Sequence, residues 1–174
     1  MRDRPSDTAH RNDCSTVRVG VGAVFDDTKT YRYVLWRNFV VEPKSTCLWI
    51  MLNPSTADEF KDDPTVRRCQ QFSRQWGFDA CRVVNIFAYR STNPKILSNL
   101  ANPVGPENDL HLQRETKTAT KIVCAWGAHG SVNDRSLSVR QLLIACECWC
   151  FGLTKNNEPR HPLYQHSKTA LVRW

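Results

Sequence analysis

Four polar side chains stand at or near the ends of apolar runs in this 174-residue sequence. Asn53 and Asn85 belong with the first two of these runs, and His129 and His161 follow the last two. An amide can hold a water through its carbonyl oxygen or pair with the edge of a nucleobase, and an imidazole can stabilise developing negative charge. These residue types therefore suit a site that binds a polar heterocycle and acts on it.

Each of these residues also has a purely structural interpretation. Asn53 precedes Pro54, which fixes the turn that would present Asn53 to a ligand, but Asn-Pro is also a common loop dipeptide. Asn85 could tie a neighbouring loop, since an amide inside an apolar strand must find partners or cost about 1–3 kcal/mol. His129, between two glycines, and His161, in an aperiodic loop, could be ordinary surface histidines.

Acidic residues crowd the loop after the first asparagine, at positions 58, 59, 62 and 63. Asp58 could act as a general base toward a water, and paired carboxylates could also hold a metal. Asp63 precedes Pro64 and is explained as the cap of a helix. Solvation at the surface explains the remaining acids equally well.

Basic residues and one serine near these motifs add candidate ligand contacts. Arg67 and Arg90 could grip phosphate groups, because a guanidinium group matches phosphate geometry. Ser55 follows the Asn-Pro turn and Arg160 precedes His161, so both are candidate substrate-binding residues. A solvated surface position explains any single arginine as well.

The composition excludes several classes of protein. Hydrophobic residues make up 41% of the chain and charged residues 24%, which is typical of a globular protein rather than a disordered or fibrous one. The apolar runs are well short of the ~20 residues of a membrane span, so we expect a cytoplasmic protein without membrane insertion. Lysine and arginine exceed the acids by 24 to 17, and the net charge of +7 favours a polyanionic partner such as nucleic acid.

The eight cysteines are expected to be free thiols of a reduced compartment. No Cys-x-x-Cys pair occurs, so we expect neither a metal nor another cofactor. The sequence also lacks phosphate-loop, dinucleotide, zincin and hydrolase-elbow motifs, which weakens the case for those chemistries.

The elements that would position these residues alternate between strands and helices. β-rich runs at 21–25 and 31–39 predict an N-terminal hairpin at the edge of a sheet. Continuous apolar runs predict strands covered on both faces, at 47–52, 82–86, 122–126 and 146–151. Apolar spacing and end signals predict helices at 63–77, 106–119 and 136–145. This order predicts an α/β fold with a mainly parallel sheet, in which ligands bind at the carboxyl ends of the strands.

The length predicts one domain, at about 150 residues per domain. Residues 1–17 are polar and without period, so we expect a flexible N-terminal arm. A single α/β domain is then predicted over residues 18–174.

Two family resemblances rest on motifs in a fixed order. The chain resembles the domain of unknown function 1643 family over about residues 20–165, through the segments 51–58, 63–68, 84–90, 103–109, 125–127, 152–155 and 160–164. The order of these motifs is also remotely similar to that of the uracil-DNA glycosylase superfamily. Proteins of that superfamily have an Asn-Pro-type first motif, a later asparagine at a strand end and a C-terminal His-Pro motif. The chain departs from that superfamily in reading His-Pro-Leu-Tyr where His-Pro-Ser is usual, and its cysteines do not match the iron–sulfur branches.

The second resemblance implies a three-layer sandwich around a mainly parallel central sheet, with the hairpin added. It also implies base flipping and N-glycosidic hydrolysis. In that reaction Asn53 would position the water, Asn85 would read the Watson–Crick edge of a pyrimidine, and His161 would stabilise the leaving base. Phe60 or Phe87 could supply the stacking face.

The function expected from these observations is hydrolysis of an N-glycosidic bond. The expected substrate is DNA first and a nucleotide second. Asp58 would assist Asn53, and no metal is needed because hydrogen-bond donors can stabilise the leaving base. One rival is a non-catalytic sensor that keeps the pocket and the basic surface. Another is an enzyme that acts on modified nucleotides.

Overall fold

The chain forms a mixed α/β structure around one sheet of seven strands. The computed structural model describes residues 20–174, so the predicted arm over residues 1–17 lies outside the described residues. The strands are β1 Val21–Phe25, β2 Arg32–Asn38, β3 Thr46–Met51, β4 Ala80–Asn85, β5 Lys121–Cys124, β6 Cys148–Cys150 and β7 Val172–Arg173. The α-helices are α1 Pro64–Gln75, α2 Asn108–Thr118 and α3 Arg135–Leu142, and 3₁₀ helices occupy Pro94–Asn99, Ala128–Asp134 and Pro162–Tyr164. None of these described helices is long and apolar enough to span a membrane.

The sheet is only partly parallel, with strand order β1-β2-β4-β3-β5-β6-β7. Its centre is parallel, through the pairs β4 with β3, β3 with β5 and β5 with β6. The pairs β1 with β2, β2 with β4 and β6 with β7 are antiparallel. The predicted hairpin at the sheet edge is confirmed. The sheet is mixed rather than mainly parallel because this hairpin joins β4 through β2, and β7 adds antiparallel at the other edge.

Side chains of the central strands alternate between two buried clusters. Cys47, Trp49 and Met51 of β3 pack in one cluster with residues of α1. Leu48 and Ile50 pack in the other cluster, with residues of α2 and α3. Because successive side chains of a strand point to opposite faces, both faces of β3 are covered. This explains why its sequence is apolar throughout.

Helix α1 confirms the predicted helix after Asp63. The Asp63 carboxylate accepts a hydrogen bond from the backbone N of Val66 at 2.8 Å, and Pro64 stands in the first turn, where no N–H is needed. Phe72, on the apolar side of the helix, is fully buried. Gly77, at φ +79°, follows the end of the helix. The cap fixes Asp63 beside the carboxyl ends of the strands.

The seven described cysteines are free thiols, and six of them are buried. Burial raises the pKa of the Cys81 thiol to about 12 and that of Cys69 well above its usual range. Both thiols are therefore protonated at neutral pH and act as small apolar side chains of the core.

Candidate functional site

A cavity of about 400 Å³ opens at the carboxyl ends of β3, β4 and β5. The chain passes from β3 to β4 on one side and later returns to β5 on the other, so the strand order reverses at β3. Open α/β sheets bind ligands at such a reversal, and the volume suits a small organic molecule. The wall comes from β2, the β3–α1 loop, the end of β4, segments 91–94 and 126–129, and the C-terminal segment 161–164.

Five of the residues predicted from the sequence reach this cavity. They are Asn53, Ser55, Asn85, His129 and His161. The β3–α1 loop supplies the first two, the end of β4 supplies the third, and the segments after β5 and β6 supply the histidines. The cavity therefore joins polar groups that are far apart in the sequence.

Asn53 is turned so that its side-chain oxygen is left for the cavity. Its Nδ2 donates to the Ser91 carbonyl oxygen at 2.8 Å and to the Pro54 carbonyl oxygen at 3.0 Å. Two carbonyl acceptors require the NH₂ end of the amide, which fixes its orientation. Within residues 20–174, Oδ1 accepts no hydrogen bond and is not among the polar atoms sealed from solvent. It is therefore free to accept a hydrogen bond from a ligand or a water.

Asn85 is turned the other way, with its donor end open. The residue ends β4 and is 1% exposed. Its Oδ1 lies 3.5 Å from Nη2 of Arg32, and a guanidinium can only donate. Among the described residues its Nδ2 has no partner, and this atom is not sealed from solvent. Asn108 holds the strand end in place, because its Nδ2 donates to the Asn85 carbonyl oxygen at 2.9 Å.

His161 carries a neutral imidazole at the cavity wall. Its Nδ1 accepts a hydrogen bond from the backbone N of Leu163 at 3.4 Å, which leaves the proton on Nε2. Burial lowers the pKa of His161 to about 4, against a weaker opposite effect of the Asp63 charge. A Cβ at Gly127 would lie 3.3 Å from the Cβ of His161, so the glycine allows the two segments to pack closely here. Nε2–H is therefore an uncharged donor.

The structure brings Asp63, and not Asp58, to the cavity. Asp58 Oδ1 accepts hydrogen bonds from the backbone N of Phe60 at 2.9 Å and of Lys61 at 2.8 Å, and these bonds lower its pKa. Asp58 thus closes a turn of the loop. Asp63 is 8% exposed and uses Oδ1 for its helix cap, while Oδ2 has no partner within residues 20–174 and is not sealed from solvent. The carboxylate available to a ligand is that of Asp63.

The predicted phosphate and substrate arginines lie outside the cavity wall. Arg67, Arg90 and Arg160 each donate to a nearby backbone carbonyl oxygen, at 2.7, 3.0 and 3.0 Å respectively. Arg67 and Arg160 are exposed. Any contact of these two side chains with a phosphate would be made on the surface around the cavity.

Neither predicted stacking residue reaches the cavity. Phe87 is fully buried in the core, and Phe60 is 86% exposed outside the wall. Pro54 is also buried behind the wall and contributes its carbonyl oxygen to the Asn53 amide. The aromatic residues of the wall are the buried Trp126 and the exposed Tyr164.

A buried carboxylate fixes Trp126. Glu158 Oε2 accepts a hydrogen bond from Trp126 Nε1 at 2.6 Å, and Oε1 accepts one from Ser136 Oγ at 2.7 Å. The backbone N of Gly127 donates to the Pro159 carbonyl oxygen at 2.7 Å. These bonds tie the segment after β5 to the C-terminal segment and make this part of the wall rigid.

Arg32 and Trp126 are wall residues that the sequence interpretation missed, and Asp63 was interpreted as a cap alone. Arg32 did carry a signal, because a charged residue inside a β-rich run must find partners when it is buried. Asp63 carried none, since capping accounts for it fully.

The polar groups of the wall are amides, one carboxylate, imidazoles, hydroxyls and one guanidinium, which together offer both hydrogen-bond donors and acceptors. Within residues 20–174, no three His, Cys, Asp or Glu side chains are close enough together to hold a metal ion. The arrangement is suited to hydrogen bonding with an organic ligand and with a water beside it.

Comparison with known proteins identifies the family but adds no activity. Residues 32–163 match the family model described as "Protein of unknown function (DUF1643)". No curated protein and no solved structure gives a significant match to the chain. The matched span contains the cavity residues Arg32, Asn53, Asp63, Asn85 and His161. This chain therefore belongs to the DUF1643 family.

Proposed function

We propose that this chain is a uracil-glycosylase-like protein that binds a nucleobase in the cavity and hydrolyses its N-glycosidic bond. The observation that carries the proposal is the set of open polar atoms among the described residues. Asn53 Oδ1 and Asp63 Oδ2 are acceptors without partners, and Asn85 Nδ2 and His161 Nε2 are donors without partners. The acceptors suit a water, and the donors suit the carbonyl oxygens of a base. N-glycosidic hydrolysis requires both functions.

In the proposed reaction, Asn53 Oδ1 and Asp63 Oδ2 accept hydrogen bonds from one water and direct its oxygen to the anomeric carbon. A C–O bond forms there, and the C–N bond breaks with its electron pair leaving on the base. The water gives one proton to the Asp63 carboxylate, from which it passes through solvent to the departing base. His161 donates a hydrogen bond to the base oxygen that gains negative charge, and Asn85 donates one to a carbonyl oxygen on the Watson–Crick edge of the base.

We also propose that the fold is the three-layer sandwich of uracil-DNA glycosylases. The two buried clusters support this arrangement, because one contains residues of α1 and the other contains residues of α2 and α3. The strand reversal at β3 places the cavity where such a sheet binds its ligand.

Nucleic acid, with DNA ranked first, is the partner we propose, and a free nucleotide is the second. The net charge of +7 supports a polyanionic partner. Arg67 and Arg160, which adjoin the wall residues Val66 and His161 in the sequence, are exposed and donate to backbone carbonyl oxygens rather than to acids.

The experiment that tests the proposal is base release from modified oligonucleotides. Purified protein is incubated with single- and double-stranded DNA carrying uracil or another altered base, followed by alkaline cleavage of abasic sites and mass analysis of the released base. Asn53→Ala is the test variant, and Asn156→Ala, at an exposed position outside the cavity, is its matched control.

Base release by the wild type and by Asn156→Ala, but not by Asn53→Ala, would support the glycosidase. Binding without release would contradict the hydrolytic step and leave a nucleic-acid sensor as the better description. Release from free nucleotides alone would move the substrate from DNA to the nucleotide pool.

A further inference from the structure

Arg32 is a buried cation that forms no ion pair with any acid among residues 20–174. It is 2% exposed, and its Nη1 donates to the Ala57 carbonyl oxygen at 2.8 Å. Burial lowers the pKa of the guanidinium to about 10, and the Asp63 charge is the strongest opposing influence. Arg32 is therefore charged at neutral pH and lies in the wall of the cavity.

This guanidinium determines which end of the Asn85 amide is presented to a ligand. Nη2 of Arg32 lies 3.5 Å from Oδ1 of Asn85, while Nη1 is anchored at Ala57. If the amide turned over, Nδ2 would face the guanidinium and set one donor against another. At a buried position such a clash is weakly screened. Asn85 is therefore held with Nδ2 toward the cavity.

We propose that Arg32 is a positioning residue that makes Asn85 a hydrogen-bond donor to the ligand, so that the cavity selects bases with a carbonyl oxygen over bases with an amino group. This inference rests on the proposed binding of a base and adds the rule by which the base is chosen. Uracil and hypoxanthine carry a carbonyl oxygen where cytosine and adenine carry an amino group. The amino group would meet Nδ2 donor to donor and leave both groups unpaired.

The test measures binding separately from hydrolysis. Single-stranded oligonucleotides carry one test nucleotide with a 2′-fluoro sugar, which resists cleavage of the glycosidic bond. Fluorescence anisotropy compares two matched pairs of bases, uracil with cytosine and hypoxanthine with adenine. The wild type is expected to bind the carbonyl member of each pair at least about tenfold more tightly, as one buried donor–acceptor pair gives.

Two substitutions of Arg32 test its role. Arg32→Met should reduce the preference to less than about threefold, because the freed amide can turn and accept from an amino group. Arg32→Lys keeps the charge without the fork and should give an intermediate preference. Arg114→Met removes an exposed arginine outside the cavity and is the matched control, with an unchanged preference.

Asn85→Asp provides an independent test if Arg32→Met fails to fold, which its thermal unfolding would reveal. A carboxylate at position 85 only accepts, and it would pair with Arg32 through one oxygen. Its other oxygen would face the ligand, so the preference should reverse toward cytosine and adenine.

Equal affinities for both members of each pair in the wild type would overturn the inference. So would a preference that Arg32→Met leaves unchanged, or the absence of binding to every oligonucleotide. An Arg32-dependent preference without release of base from ordinary deoxyribose would leave the inference standing and contradict the hydrolysis. Release of base with a preference independent of Arg32 would support the hydrolysis and overturn the inference.

Discussion

Polar side chains at the two ends of the parallel strands differ in what they bind. At the amino ends, Asp79 Oδ2 accepts hydrogen bonds from the backbone N of Lys44, the backbone N of Ser45 and the Ser45 hydroxyl, each at 2.9 Å. Thr120 Oγ1 accepts one from the backbone N of Thr46 at 3.0 Å. These side chains hold the starts of β3, β4 and β5 together.

At the carboxyl ends the polar side chains are also held in place, but each has one open atom and lines the cavity, whereas Asp79 lies outside it. Asn53 is fixed through Nδ2, Asp63 through Oδ1 and Asn85 through Oδ1. These residues line the cavity and their open atoms are not sealed from solvent, so a water or a ligand can pair with them there. We infer from this difference that the polar groups at the amino ends stabilise the fold, whereas those at the carboxyl ends are placed to bind a ligand.

The largest effect is expected from Asn53→Ala. Loss of the acceptor that holds the water should lower the rate of base release by about 10²–10⁴-fold. The two hydrogen bonds of Nδ2 are also lost, so the free energy of unfolding should fall by about 1–2 kcal/mol. Kinetics of base release and urea unfolding measure both changes. A variant that keeps more than a tenth of the rate would show that Asn53 is only a loop residue.

A comparison of Asp63→Asn with Asp63→Ala separates the two roles of this carboxylate. Asparagine caps helices nearly as well as aspartate, so Asp63→Asn should be about 1 kcal/mol more stable than Asp63→Ala. Both variants lack the charge that takes a proton from water, and both should lose about 100-fold in rate. Asp58→Asn is the control, with unchanged base release. Full activity of Asp63→Asn would remove Asp63 from the reaction.

Several features of the fold and of the cavity could be predicted from the sequence alone. Helix α1 and strand β3 were predictable because local patterns define them: a cap, a 3–4 apolar spacing and a continuous apolar run. Asn53 and Asn85 could be placed at the cavity because carboxyl ends of parallel strands meet at one edge. These inferences need only local sequence and a topological rule.

Arg32 was not predictable as a neighbour of Asn85, because their contact depends on a distant pairing. Strand β2 lies antiparallel beside β4, with Leu35 opposite Val83, and no local pattern defines that register. The expectation that Phe60 or Phe87 lines the cavity failed for a related reason. Beyond the end of a strand, the direction of a side chain is set by packing rather than by the period of two.

The stability of the carboxyl end should depend on pH through His161. Its pKa is about 4 in the folded chain and about 6.5 when unfolded, so only the unfolded chain gains a proton between these values. Stability from the neutral ring is present above pH 6.5 and is lost as the pH falls toward 4. We expect the wild type to lose about 2 kcal/mol more than His161→Gln between pH 7.5 and 4.5.

The control for this pH dependence is His166→Gln. His166 also accepts a backbone hydrogen bond through Nδ1, from Lys168 at 3.2 Å, but it is exposed. Urea unfolding at the two pH values should therefore give the wild-type dependence for this variant. An equal dependence in wild type and His161→Gln would mean that the imidazole is not desolvated in solution.

The smallest effect on ligand binding is expected from Asp79→Ala, which also tests whether the two ends are independent. This substitution removes the acceptor of three hydrogen bonds at the amino ends of β3 and β4. We expect Tm to fall by about 3–8 °C, while the affinity for an oligonucleotide and its preference among bases stay unchanged. Thermal unfolding and anisotropy measure the two quantities.

Strands β3 and β4 run the whole way between the two ends, so weaker binding would mean that the amino-end bonds also set the positions of Asn53 and Asn85. Unchanged binding would mean that the cavity residues are positioned by their own hydrogen bonds, in which Asn108 and Arg32 donate to Asn85 and Asn53 donates to Ser91. The two ends would then be independent.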